Sequence, residues 1–302
     1  MPNQMPAVAL AAAPGRRQWT VELAQQIERA GFAGIYCASF GDGLGLCLSI
    51  AHATNTIRFG TAIANIYGRH PLDMAQSGAY IHEISGGRFV LGLGVSHGPT
   101  HERMGLQVGK PLSDMRAYVE AIRGTGTQFG ELPPIVLATL RTKMVELSVE
   151  IAEGAVWANA SRSHMAASLG HVPADRLHDG FFIGNMLNTC IDDDRSAAEA
   201  VMKRALTGYL MLPNYRNYWK EAGYVDEMVA VESALAAGDR DALPRLMSDR
   251  WLSDVALYGS KKDVMDGLDA WYDAGMKTPV LVMASTRGGQ NKAFEELFAA
   301  FK

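Results

Sequence analysis

Thr61-Ala-Ile-Ala-Asn-Ile-Tyr-Gly-Arg-His-Pro71, followed by Ser85-Gly-Gly-Arg-Phe-Val-Leu-Gly-Leu-Gly-Val-Ser-His-Gly98, decides the reading of this chain. Each stretch holds an apolar run that ends in a polar, glycine-containing loop. Between them an amphipathic segment opens at Pro71, where a helix tolerates the missing N–H, and stops at Gly86-Gly87. Strand, helix, strand is the signature of a parallel α/β fold. In such folds the loops that follow the strands face the ligand, which gathers Asn65, Arg69, His70, Ser96 and His97 at one mouth.

The same rhythm continues in both directions. Ala7–Ala13, Gly34–Ser39, Ile57–Ile66, Phe89–Val95, Pro134–Ala138, Gly154–Asn159, Phe181–Thr189 and Thr278–Met283 read as strands separated by helical segments. Eight such repeats predict an α/β fold of the (β/α)8 TIM-barrel type rather than an open sheet, with residues 1–302 as one domain. The spacing fails once. About 90 residues separate the seventh and eighth strands, more than one crossover needs, and predict a helical insertion at about 205–258. It carries Tyr209, Tyr215, Tyr218 and Trp219 and reads either as a lid over the site or as a helical embellishment or subunit contact.

Composition narrows the function. The 302 residues are 48% hydrophobic and 20% charged, with a net charge of −4 and no basic cluster, so nucleic acid is not an expected partner. Three cysteines without C-x-x-C spacing imply neither a disulfide framework nor a zinc site and suit the reducing cytoplasm. Ala7–Ala13 has no Lys or Arg before it and reads as a first strand rather than a signal sequence. No apolar run approaches the ~20 residues that span a bilayer, so no membrane partner is expected. No His/Asp/Glu set has metal-ligand spacing.

Gly92-Leu-Gly94 lacks the third glycine of a dinucleotide fingerprint, and reads as tight interior packing or as room for a flat ring. His97 lies where a strand meets its loop and has the pKa range for moving a proton at neutral pH; the plainer reading is a loop histidine bonded to backbone. Asn65, Arg69 and His70 offer an amide, a guanidinium and an imidazole to a heterocycle with lactam groups. Arg69 equally suits pairing with Asp73 or Glu83, and His70 the helix entrance. Thr139-Leu-Arg-Thr-Lys143 and Asn159-Ala-Ser161 follow the fifth and sixth strands, where free amides bind phosphate or hydroxyls simply cap helices. Asp42, between glycines, reads as a turn former.

Arg58-Phe-Gly-Thr-Ala-Ile-Ala-Asn65, Arg69-His-Pro71, Ser85-Gly-Gly-Arg-Phe89, Leu91-Gly-Leu-Gly-Val-Ser-His-Gly98 and Lys110-Pro-Leu-Ser-Asp-Met-Arg116 together resemble the luciferase-like monooxygenase superfamily. The likeness is to its branch using the deazaflavin coenzyme F420. The resemblance implies a homodimeric barrel holding a flavin-type ring over the third and fourth strands. It places a non-proline cis peptide at Ala62-Ile63, with Ala64 in the same bulge and Asn65 on the ring. It assigns Thr139, Asn159, Ala160 and Ser161 to the cofactor's phosphate or tail, with Ser96 also at the cofactor. His97 and His70 become the catalytic candidates. Two departures stand out: Ser39-Phe40 replaces an acid or acid–His pair, and Leu140-Arg141-Thr142 replaces a frequent Gly-Pro before Lys143. The implied activity is hydride transfer between F420 and a small organic substrate. The alternatives are an FMN-dependent luciferase-like monooxygenase and a flavin-binding protein without turnover.

Overall fold

Apolar runs too short for helices become buried parallel strands, and the amphipathic segments between them become helices. The computed structural model describes residues 4–38, 41–178 and 180–302. Its strands are β1 (Ala7–Leu10), β2 (Gly34–Cys37), β3 (Arg58–Asn65), β4 (Phe89–Gly94), β5 (Ile135–Ala138), β6 (Gly154–Ala158), β7 (Phe182–Ile191), β8 (Leu257–Gly259) and β9 (Thr278–Ala284). Its helices through β6 are α1 (Arg17–Arg29), α2 (Gly43–Ala53), α3 (Pro71–Ile84), α4 (Gly98–Met104), α5 (Pro111–Arg123) and α6 (Thr142–Ile151). Beyond β6 come α7 (Met165–Leu169), α8 (Ala174–His178), α9 (Arg195–Leu210), α10 (Pro213–Glu221), α11 (Val225–Ala236), α12 (Asp249–Val255), α13 (Lys261–Asp273) and α14 (Gln290–Ala300). The fold is the expected α/β TIM barrel, with a helical insertion before the last strand.

The chain divides into two compact units. The first, Met5–Trp157 with His171–Gly184, holds β1 to β6 side by side in sequence order, each strand parallel to the next. The second is built from Ala158–Gly170 and Asn185–Lys302 and holds most of β7 with β8 and β9.

In the first unit, β3 and β4 lose register between Thr61 and Ala64: Thr61 faces Leu91, but Ala64 faces Leu93. Ala62 and Ile63 therefore form a bulge. Among the described residues there is no cis peptide bond, so the cis bond expected at Ala62-Ile63 is absent. A trans bulge does the same work, because an extra residue bends a strand without peptide isomerisation. The Thr61 hydroxyl bridges the break, accepting from Gly92 N at 2.9 Å and donating to Gly92 O at 2.8 Å. Gly92 is required by this contact: a Cβ there would lie 2.0 Å from Thr61 O and 2.6 Å from Ala62 O. One at Gly94 would lie 2.5 Å from the Ile63 side chain. The Gly-x-Gly pattern thus serves close packing against the bulge.

The Ser85–Phe89 motif is a clamp. Arg88 donates to Ala51 O, Thr54 O and Ile57 O at 2.9–3.1 Å, satisfying carbonyls at the end of α2. Two expectations need adjustment. The short helix α4 precedes α5, started by Pro99 and ended by Gly105 at φ 62°. The insertion is also not wholly helical, since β8 pairs in parallel with the end of β7.

Candidate active site

Asn65 ends β3 directly beside Gly94, the end of β4, so Asn65, Ser96 and His97 occupy the same C-terminal edge of neighbouring strands. That is the ligand-facing edge in a βα barrel. Asn65 Oδ1 accepts from Tyr67 N at 3.0 Å, which fixes the amide plane. Its Nδ2 is buried with no partner. Thr139, just past β5, is buried with its hydroxyl equally unmatched. A buried donor without an acceptor is costly, and these two, at strand ends on the ligand-facing edge, are candidates to meet a ligand's acceptors.

Ser96 has φ 58° and Asn159 φ 55°, the only residues other than glycine with positive φ among those described. Asn159 directly follows β6 and Ser96 lies two residues past β4, and the sequence marks both as candidate site residues. Left-handed backbone costs an L-residue roughly 1–2 kcal/mol and is retained where surroundings over-determine it. At Ser96 the surroundings include His101, whose Nε2–H donates to Val95 O at 2.6 Å. Tyr67 packs edge-on against the His101 ring, 5.4 Å between centroids, and donates its hydroxyl to Asp114 at 2.7 Å.

His97 sits at the N-terminal cap of α4, half-buried, its carbonyl accepting from Thr100 N and His101 N. Burial, and secondarily the neighbouring His101, holds its imidazole below the ordinary histidine range. The neutral form of the ring therefore prevails at pH 7.

Asn159, in the second unit, is held on several sides. Its N donates to Met186 O at 3.0 Å, its O accepts from Trp219 Nε1 at 3.2 Å, and its Oδ1 accepts from Asn188 Nδ2 at 2.7 Å. Ala160 N donates to Asn185 Oδ1 at 3.3 Å, and Ser161 N to the Tyr218 hydroxyl at 3.0 Å. The free-amide phosphate reading therefore does not hold for Asn159-Ala-Ser161: all three amides are already donated. What remains is side-chain chemistry, since Ser161 Oγ and Asn185 Nδ2 are buried without partners.

The other candidates are occupied locally. Arg69 pairs with Asp73 at 3.1 Å and reaches Ser77 at 3.4 Å. The Nδ1 of His70 accepts from Leu72 N at 3.3 Å, capping α3. Asp42 caps α2 by accepting from Gly45 N at 3.0 Å, a helix N-cap rather than the expected turn. Ser39 and Phe40 lie outside the described residues. Asn185 and Asn188 escaped the sequence reading, although two amides inside an otherwise buried strand are a signal in themselves. A surface cleft of about 910 Å³ lies at the opposite ends of β4 to β6, lined by His82, Glu83, Arg123 and Glu153 among others. Arg123 and Glu153 pair there at 2.6 Å, and the cleft touches none of the candidate residues.

Unmatched donors and a half-buried histidine thus lie at the C-terminal ends of parallel strands, and comparison with known proteins defines the class. The chain matches the luciferase-like monooxygenase family over residues 6–278 and belongs to it. It is 26% identical over 257 residues to a 5,10-methylenetetrahydromethanopterin reductase of Archaeoglobus fulgidus, spanning 75% of this chain and 77% of that protein. Its fold matches the coenzyme F420-dependent tetrahydromethanopterin reductase of Methanopyrus kandleri, with a TM-score of 0.77 and 19% identity over 99% of this chain and 100% of that one. It also matches the FMN complex of the oxygenating constituent of 3,6-diketocamphane monooxygenase of Pseudomonas putida. There the TM-score is 0.65 at 16% identity, over 99% and 96% of the two chains. The protein is an oxidoreductase of this family. No helix among the described residues is long and apolar enough to cross a membrane.

Proposed function

We propose that this enzyme moves a hydride between coenzyme F420 and a small organic substrate. The observation that carries the reading is the Asn65 amide: fixed through Oδ1, unmatched at Nδ2, and set at the end of a bulged strand beside the end of β4. A flat ring bearing lactam carbonyls supplies the acceptor that such a donor lacks. The deazaflavin, when bound, provides the carbon that gives or takes the hydride. Asn65 Nδ2 and Thr139 Oγ1 would hold it by hydrogen bonds, with the Ala62-Ile63 bulge, Ala64 and Ser96 lining it. In the second unit, any contact that Asn159, Ala160 or Ser161 makes with a ligand would run through side chains and carbonyls, their amides being taken.

His97 manages the substrate proton. A neutral imidazole accepts the proton released when substrate is oxidised and returns it in the reverse direction. Arg69 and His70 keep their bonds within α3 and are given no part. The resemblance and composition support a cytoplasmic homodimer acting on a small molecule.

The second reading is an FMN-dependent monooxygenase, favoured by the fold shared with an FMN-bound protein. A flavin-binding protein without turnover is the third. Parallel titration with F420 and FMN separates them. F420 binding with turnover of an organic acceptor, weakened about tenfold by Asn65→Ala, supports the proposal. Tight FMN binding alone, or an Asn65→Ala protein with unchanged F420 affinity, refutes it.

A further inference from the structure

From sequence the insertion reads as a lid over the site, a helical embellishment or a subunit contact; its hydrogen bonds point to a further role. Three residues of the segment after β6, taken at alternate positions, are each bonded to the insertion. Asn159 O accepts from Trp219 Nε1 at 3.2 Å, and Ser161 N donates to Tyr218 OH at 3.0 Å. Ser163 gives both its N and its Oγ to Asp254, at 3.0 and 2.7 Å.

The groups on the insertion side are themselves immobilised. Trp219 is fully buried, edge-on to Trp251 at 4.8 Å between centroids and against Tyr215 at 5.4 Å. Asp254 is 5% exposed and takes a further bond from Tyr224 OH at 2.8 Å. A lid that opens would break these bonds and leave buried donors unmatched each time. Nothing in this arrangement suits a hinged cover.

We infer that the insertion is a fixed brace: Tyr218, Trp219 and Asp254 are positioning residues that set the conformation of residues 159–163. The brace explains how Asn159 is kept at φ 55°. It also selects which groups of the segment face a ligand. Tyr218 occupies the amide of Ser161, which leaves the hydroxyl as that residue's unmatched donor. The inference rests on the family fold and these bonds. Only the use made of the segment rests on the proposed function.

The test is amide hydrogen exchange of residues 159–163 in the whole protein without added cofactor, for Tyr218→Phe, Trp219→Phe and a Trp271→Phe control. Trp271 is fully buried in α13, its Nε1 without a partner, so its variant reports packing loss alone. Tyr218→Phe keeps the ring and deletes one oxygen, so it remains informative even where Trp219→Phe fails to fold. The expected result is exchange about tenfold faster across 159–163 in both brace variants, and unchanged in the control. Unchanged exchange in Tyr218→Phe, or equal acceleration in the Trp271→Phe control, overturns the brace. Titration of the same proteins with F420 and FMN follows. Weaker binding with little change in turnover at saturation extends the brace to the cofactor. Faster exchange with unchanged affinity upholds the brace and removes residues 159–161 from the proposed cofactor site.

Discussion

The segment after β4 and the segment after β6 solve the same problem by opposite means. Each follows a barrel strand and each holds a left-handed residue that is not glycine, Ser96 at φ 58° and Asn159 at φ 55°. The first is half-exposed and held by its own neighbourhood: His101 bonds Val95 O, and Gly92 and Gly94 let the β3 bulge pack against the strand beneath. The second is buried and held by side chains distant in sequence, Asn188, Tyr218, Trp219 and Asp254. A locally supported, half-open loop suits a group that exchanges protons with substrate. A cross-braced, buried one suits a fixed wall.

That contrast breaks most visibly at His97. Replacing it with Gln should lower turnover by about 10²–10⁴-fold, the usual worth of a general acid or base, while F420 affinity in fluorescence titration stays within about twofold. A turnover loss below tenfold would return His97 to the plain loop-histidine reading. The pH profile sharpens the point. Burial depresses this pKa, so the neutral base persists below the ordinary histidine value, and the acidic limb of kcat/KM for substrate oxidation should fall below pH ~6.5. That limb should vanish in His97→Gln; a limb above pH ~6.5 would contradict the assignment.

The support beneath the β4 loop comes next in size. Gly92→Ala forces a Cβ against two carbonyl oxygens and should cost about 3 kcal/mol or more in denaturant unfolding, since backbone cannot step aside as a side-chain end can. Thr61→Val keeps shape but removes the bridge to Gly92, for about 1–3 kcal/mol from two unmatched backbone groups. Equal stability of Thr61→Val and the parent would show that the bulge is set by packing alone.

The smallest effect compares the two left-handed residues directly. Ser96→Gly should relieve about 1 kcal/mol of backbone strain and raise Tm by about 2 °C. Asn159→Gly relieves the same strain but forfeits the bond from Asn188, so its Tm should stay level or fall. Matching rises in both would mean that the bond from Asn188 contributes nothing.

The readable part of this protein was local. Period and punctuation revealed the strands, the Pro71 helix start and the Gly86-Gly87 stop, because these depend on residues adjacent in sequence. The polar residues at strand ends were legible for the same reason: topology sends the end of every strand in a βα barrel to one edge. Arg69 and His70 show the limit of that argument. Both stand at the correct edge, yet each finds a nearer partner, Asp73 and Leu72 N, because hydrogen-bonding groups take what is within reach. The bond geometry at Ala62-Ile63 was likewise beyond reach, since cis and trans bulges share one sequence.

By itself the sequence determined the barrel and the edge on which ligand-facing groups stand, both consequences of short-range periodicity and of the topology it imposes. Tertiary structure alone decided which of those groups remain unmatched. Asn65 keeps a bare amide and Ser161 loses its amide to Tyr218, which follows it by 57 positions, because hydrogen-bond satisfaction is settled by neighbours in space.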